Sequence, residues 1–385
     1  MKNLLFLHGG GPTAVLNASL YGAVDEAKKH PSVGKILAAR GGSGGLLRRS
    51  LIDLRAVPDN RLRLLPFTPG SAIGSSRDHL EEPEYREIAR LLREEGIDCL
   101  LPGGGNGTMD TAGKIWRACR EMGFDIQVVG IPKTMDNDIA VTDHAPGYGS
   151  AARFIAGSAR ELAADIRSLP IHVVILETSG RNAGWVAAAS ALADQGDGLG
   201  PDLILLPERP FSKERFLQAV EGKLKEKSGL LVVASEGLRD EKGEPVAEPA
   251  FTAGRDVYFG DVGGALAGMV QRELGYKARA EKPGLLGRAS AAWQSGTDRE
   301  EAAAIGRFAV RAALAGETGK MAAIRRLPGE GYQTELFLTP FESVMLHEKK
   351  LPEGYISPDG FGVTESFKRY ALPLTGGALP EMAVL

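Results

Sequence analysis

Only two cysteines, Cys99 and Cys119, occur in the 385 residues. They form no CxxC pair and are too few for a disulfide framework, so a reduced, cytoplasmic setting is expected. Long apolar runs are also missing. No stretch approaches the roughly 18 apolar residues of a membrane span, and the N-terminal run LLFL is too short for the core of a signal peptide. Neither charge sign is in excess: 46 Lys and Arg against 49 Asp and Glu leave a net charge of −3. Nucleic acid and anionic membranes are therefore not expected as partners. The six histidines, His8, His30, His79, His144, His172 and His347, show no pairing at metal-ligand spacing, which argues against zinc. GGSGG at 41–45 matches G-x-S-x-G only formally, since no histidine stands out as a triad partner. No G-x-G-x-x-G with a downstream acidic residue supports a dehydrogenase.

What the chain has in abundance is glycine, 50 residues, against an ordinary share of about 7%. These glycines gather in loops, which suggests backbone packed close to a ligand. Between the loops lie short apolar runs at 4–7, 35–38, 98–102, 126–130, 171–177, 202–207 and 230–235. Each has strand length and is rich in Val, Ile and Leu without alternation, the pattern of parallel strands buried on both faces. Helix-period segments alternate with them. One covers 14–29, and another covers 297–316, with Thr297 and Glu300 as a capping box and Gly316 as the stop. The charged stretch 212–227 reads as a surface helix. The fold class is therefore α/β with mainly parallel sheets.

Ligands of such sheets sit beyond the carboxyl ends of the strands, so the loops there carry the information. Four stand out. HGGGPTAVLN at 8–17 and PGGGNGTMD at 102–110 each lead from a strand through glycines to a helix start, where free N–H groups and the helix dipole favour phosphate. Neither is a Walker A loop, because the Lys-Ser/Thr pair is absent. GIPKTMDND at 130–138 packs Lys133, Thr134, Asp136, Asn137 and Asp138 together. A carboxylate beside a lysine and a hydroxyl can take a proton from an attacking alcohol, and a second carboxylate can hold magnesium, usually through water. The bland alternative is an Asx-rich turn. ETSGRNAGW at 177–185 frames Arg181 with glycines, where its planar fork can reach a phosphoryl group; the alternative is a surface arginine.

Together, GGPTAVLN (10–17), GGNGT (104–108), PKTMDND (132–138) and SGRNAGW (179–185) resemble the phosphofructokinase family. GSSR (74–77), TDHAPGYGSAAR (142–153), the spaced Arg279 and Arg288, and 356–377 extend the likeness over nearly the whole chain. GGPTAV looks most like a bacterial subgroup with many pyrophosphate-dependent members. The resemblance implies two Rossmann-like lobes of the phosphofructokinase fold. Residues 1–142 with about 287–345 would bind the donor, and about 143–286 with 346–385 the acceptor. It implies Mg2+, fructose 6-phosphate with ATP or pyrophosphate, a place in glycolysis, and a homodimer or homotetramer.

By the same likeness Asp136 would be the base, with Lys133 and Arg181 as further catalytic residues. Asp138 and Asn106 would meet the metal. Gly11, Arg77, Gly105, Asn106, Gly107 and Thr108 would surround the donor. Thr134, Ser179, Gly180 and Glu236 would contact the sugar phosphate, and Arg167, Arg279 and Arg288 its 6-phosphate. Of these, Arg167 and Arg279 would come from a neighbouring subunit.

Departures bear on substrate choice. Ser179 stands where the family usually has Met, and Leu285-Leu286-Gly287 precede Arg288 where the family has other residues. Fructose 6-phosphate is the default acceptor, with another sugar phosphate such as sedoheptulose 7-phosphate as an alternative. Pyrophosphate users typically carry Asp at the position of Gly107. A carboxylate 4 Å from ATP's α-phosphate would repel it by about 4 kcal/mol at an effective dielectric of 20. Gly107 removes that charge and leads to an expectation of ATP as donor, with pyrophosphate as the alternative. Lys133 is usual in pyrophosphate users. Asn106 in place of a charged metal partner raises a reading from a different class, a non-catalytic sugar-phosphate- or nucleotide-binding relative.

Overall fold

The computed structural model describes residues 1–168, 172–248, 250–253, 256–258, 260–345 and 347–383. The chain divides into two compact units, Met1–Tyr148 with Arg288–Lys349, and Gly149–Gly287 with Lys350–Leu385.

The first unit is built on seven strands: β1 (Lys2–His8), β2 (Val33–Ala39), β3 (Leu51–Asp53), β4 (Cys99–Gly104), β5 (Gln127–Pro132), β12 (Lys320–Arg326) and β13 (Thr334–Pro340), in the order β13-β12-β5-β4-β1-β2-β3. β12, β5, β4, β1 and β2 are parallel, whereas β3 and β13 close the two edges antiparallel. The inner strands are non-alternating because both faces are covered. Leu5, Leu7, Leu100 and Val128 enter one core, while Leu4, Phe6, Leu101 and Val129 enter the other. His8 pairs with Gly103, and Gly104 with Pro132. β1, β4 and β5 therefore end level, and their three loops leave the sheet side by side.

The second unit holds four parallel strands, β6 (Val173–Thr178), β7 (Leu203–Leu205), β8 (Leu230–Ser235) and β11 (Ala278–Glu281), ordered β11-β6-β8-β7. A hairpin of β9 (Phe251–Ala253) and β10 (Asp256–Tyr258) is separate. Thr178 pairs with Ser235, so the loops after β6 and β8 also emerge together.

All seven apolar runs fall on strands, although Ile171, the first residue of the run at 171–177, lies outside the described residues. Leu346, Val384 and Leu385, in the last expected lobe segment, lie outside them too. The helix expected over 14–29 runs from Leu16 to Lys29. The one expected over 297–316 runs from Gly296 to Leu314, and its cap differs from the expected capping box: Ser295 Oγ accepts from the Asp298 N–H at 3.2 Å. Ser212 caps the surface helix Lys213–Leu224 in the same way, which buries Phe216 and Val220.

Candidate active site

In the first unit the three level loops form one tight assembly. Gly9 N–H donates to the Gly103 carbonyl (2.9 Å), and Lys133 N–H to the Gly104 carbonyl (2.9 Å). Thr108 fills the space beneath: a Cβ on either Gly9 or Gly104 would collide with its hydroxyl. Thr108 is buried, so its side chain packs the donor loop from within. Gly105 caps the helix Asn106–Glu121, and exposed Gly107 lies in its first turn with open space around a would-be Cβ. The first-turn N–H groups of such a helix have no intrahelical partners and face outward as anion donors.

Cations gather over this end. Lys133 is 5% exposed, and its Nζ donates to the Gly11 carbonyl at 2.6 Å. Burial draws its pKa down to about 8; Asp136 and Asp138 oppose that shift, and Arg288 and Arg77 add to it. A Cβ on Gly11 would collide with the Arg288 guanidinium and would lie 3.5 Å from Arg77 Nη2. Burial, then Arg77, lowers the pKa of Arg288. Three positive side chains thus converge on Gly10–Gly11. The structure groups Arg288 with the residues expected around the donor.

The loop after β5 is held by its own side chains and by residues that reach it from elsewhere in the unit. Thr134 Oγ1 donates to Asp138 Oδ1 (2.8 Å) and accepts from the Asp136 N–H (3.0 Å). Asn106 Nδ2 donates to Asp138 Oδ2 (3.0 Å) and to the Asp138 carbonyl (3.3 Å). Asn106 therefore orients Asp138 through its amide N–H, and the hydroxyl of Thr134 is used within the turn. Asp136 is half-buried, and its charge acts on Lys133.

In the second unit, residues 179–184 leave β6 and reach the short helix Trp185–Ala189. Ser235 Oγ donates to the Gly180 carbonyl (2.5 Å), and a Cβ on Gly237 would collide with the Arg181 carbonyl. Ser179 is half-buried and Arg181 is exposed. Glu236 follows β8 beside them, with its N–H on the Thr178 carbonyl (2.9 Å). Arg279 pairs in register with Val174, near the other end of β6, and Arg167 donates from the last turn of the helix Tyr148–Ser168 to the Asp197 and Gly198 carbonyls. These two arginines are not brought to the Arg181 loop.

Glu208 is a site residue that sequence reasoning missed. Its Oε1 accepts from the Gly184 N–H (2.8 Å) and the Leu351 N–H (2.9 Å), and burial raises its pKa. The only sequence signal was a carboxylate directly after the apolar run 202–207. Glu208→Leu leaves two enclosed N–H groups unpaired and is expected to lower stability by about 2–5 kcal/mol in urea unfolding. Glu208→Gln keeps the accepting oxygen and should lose less than about 1 kcal/mol; equal losses would contradict this role.

The family model described as Phosphofructokinase matches residues 3–313. A pyrophosphate–fructose 6-phosphate 1-phosphotransferase of Xanthomonas campestris pv. campestris is 40% identical, over 98% of this chain and 92% of its own length. One of the same name from Halomonas elongata is 37% identical, over 100% and 96%. The crystal structure of a pyrophosphate-dependent phosphofructokinase from Nitrosospira multiformis, 35% identical, superposes with a TM-score of 0.91 over 100% of this chain and 95% of that one.

Proposed function

This chain belongs to the phosphofructokinase family, and on that premise we propose that it transfers a phosphoryl group from pyrophosphate to the 1-hydroxyl of fructose 6-phosphate. The products are fructose 1,6-bisphosphate and phosphate. The observation that carries this reading is the convergence of Lys133, Arg77 and Arg288 on the Gly10–Gly11 backbone, next to a helix N-terminus. A compact polyanion matches that charge. Relatives of 37–40% identity, alike over nearly their whole length, carry names that specify pyrophosphate. They favour pyrophosphate over the ATP expected from Gly107.

In this reading the sugar oxygen attacks the terminal phosphorus, the bridging P–O bond breaks, and the bridging oxygen leaves with the second phosphate. Asp136 takes the hydroxyl proton. Lys133, Arg77 and Arg288 bind the donor, and Arg181 stabilises charge on the transferring group. Glu236, Ser179 and Gly180 would bind the sugar. Arg167 and Arg279, set away from the Arg181 loop, would serve a neighbouring copy in a homodimer or homotetramer.

Among the described residues no group of three or more His, Cys, Asp or Glu gathers to hold a metal. The set at Asp138 nonetheless fits magnesium bound mainly through water and donor oxygens: one carboxylate is oriented by Thr134 and Asn106, and the Asn106 Oδ1 beside it is enclosed without a hydrogen-bond partner. When bound, the ion would neutralise phosphate charge.

A cytoplasmic setting and a place in glycolysis belong to the same reading. Burial pushes both cysteine thiols up to about 12, which keeps them unreactive. Among the described residues no helix is long and apolar enough to cross a membrane.

Phosphorus-31 NMR of the purified protein with magnesium, pyrophosphate and fructose 6-phosphate tests the reading. A growing sugar 1-phosphate resonance is expected. Unchanged pyrophosphate, or its hydrolysis without sugar phosphorylation, would overturn it.

ATP remains the second reading because Gly107 leaves open space and no charge in the first turn of the donor helix. Gly107→Asp should fold normally, since a helix N-terminus favours a carboxylate. Turnover with pyrophosphate is expected to stay within about threefold of wild type. Any turnover with ATP should fall by up to about a thousandfold, from a repulsion of about 4 kcal/mol. Equal losses with both donors would refute the charge argument.

A further inference from the structure

Lys349 lies more than 200 positions in sequence from the loop after β5, yet it is bound to that loop at several points. Its N–H donates to the Asp138 carbonyl at 2.8 Å. Its ammonium donates to Asn137 Oδ1 (3.3 Å), the Thr142 carbonyl (3.1 Å) and the Asp143 carbonyl (2.6 Å). Next to it, Glu348 forms an antiparallel bridge with Ile139. One lysine thereby binds the residue at the apex of the turn and three residues that follow it.

The apex needs such support. Asn137 is fully buried and has φ +52°, in the left-handed region that an L residue adopts at a cost. A conformation of this kind persists where the surroundings over-determine it. It lies between the two carboxylates of the loop, so its twist sets the directions in which Asp136 and Asp138 project. Thr134 and Asn106 fix the Asp138 carboxylate. Lys349 holds the Asn137 side chain and, with Asn106, the Asp138 carbonyl.

We propose that Lys349 is a positioning residue for phosphoryl transfer, holding the left-handed Asn137 turn so that Asp136 and Asp138 keep their reactive orientation. This rests on the proposed function, because it gives Asp136 the role of base. Lys349 touches neither donor nor acceptor in this account; it acts through the turn. A misplacement of the reacting groups by about 1 Å costs on the order of a hundredfold in rate, which sets the expected scale.

The test uses the full-length protein and the variants Lys349→Met, which keeps the stem and loses the ammonium, and Lys349→Arg, which keeps the charge. Steady-state kinetics are measured together with amide hydrogen exchange across the chain. For Lys349→Met, kcat should fall about 10–100-fold while KM for both substrates stays within about threefold. Exchange should quicken at 134–139 and 142–143 and stay unchanged in β1 and β4. Lys349→Arg should recover at least half of the lost activity on a logarithmic scale. A kcat within twofold of wild type for Lys349→Met would overturn the proposal. So would faster exchange throughout the unit with kcat and KM moving together, the signature of general structural support. If the wild type itself shows no turnover, the proposed function fails, and the exchange pattern at 134–139 still decides whether Lys349 holds the turn.

Discussion

Replacing Asp136 with alanine is expected to lower kcat by about 10²–10⁴-fold, the usual contribution of a positioned general base. That corresponds to about 3–5 kcal/mol of transition-state stabilisation. The carboxylate sits one residue before the left-handed Asn137 and two residues after Thr134, whose hydroxyl accepts from its N–H. That hydrogen bond uses the backbone, so it survives in Asp136→Ala and Asp136→Asn. The turn should therefore remain folded while the proton acceptor is lost. KM for fructose 6-phosphate should stay within a few-fold, because in the proposed function the sugar would be bound by other groups. Initial-rate kinetics check this. A mutant retaining more than a tenth of wild-type kcat would remove Asp136 from the role of base.

Arg181→Ala carries the second large effect, a fall in kcat on the order of 10³-fold, at the low end for arginines that stabilise a transferring phosphoryl group. The loop around Arg181 is held through backbone atoms: Ser235 on the Gly180 carbonyl, Gly237 against the Arg181 carbonyl, and Glu208 on the Gly184 N–H. Losing an exposed guanidinium from such a loop should leave the melting temperature nearly unchanged. Arg181→Lys restores charge without the planar fork and should recover only part of the rate. Thermal unfolding and kinetics of both variants separate these effects. A loss below tenfold in Arg181→Ala would mean that the side chain is not at the reacting phosphoryl group.

The inner strands other than β12 were legible because two covered faces demand continuous apolar residues, as in LLFL, where Leu4 and Phe6 enter one core and Leu5 and Leu7 the other. β3, β11, β12 and β13 were not legible, since strands such as KMAAIRR and TELFLTP mix charged or polar residues into a short run. The glycine loops announced themselves, because backbone that packs as closely as Gly9 and Gly104 do around Thr108 leaves no room for a side chain. What the sequence could not show was which partners those loops have. Lys349 looks like half of an exposed Lys-Lys pair, and Glu208 like a surface carboxylate, until the fold brings distant backbone N–H and carbonyl groups to them. Thr108 and Thr134 also have partners within the fold that the sequence did not show: Thr108 fills the space beneath Gly9 and Gly104, and the Thr134 hydroxyl donates to Asp138. Gly107 alone suggested ATP. The charge collected over Gly11 depends on Arg288, more than 250 residues away, and its place beside Arg77 appears only in three dimensions.

The most direct test of the account compares donors on the wild-type protein, with magnesium and saturating fructose 6-phosphate, by the rate of fructose 1,6-bisphosphate formation. The expected result is a kcat/KM for pyrophosphate at least a hundredfold above that for ATP. A kcat/KM for ATP equal to or greater than that for pyrophosphate would contradict the account and transfer the donor role to the nucleotide that Gly107 admits.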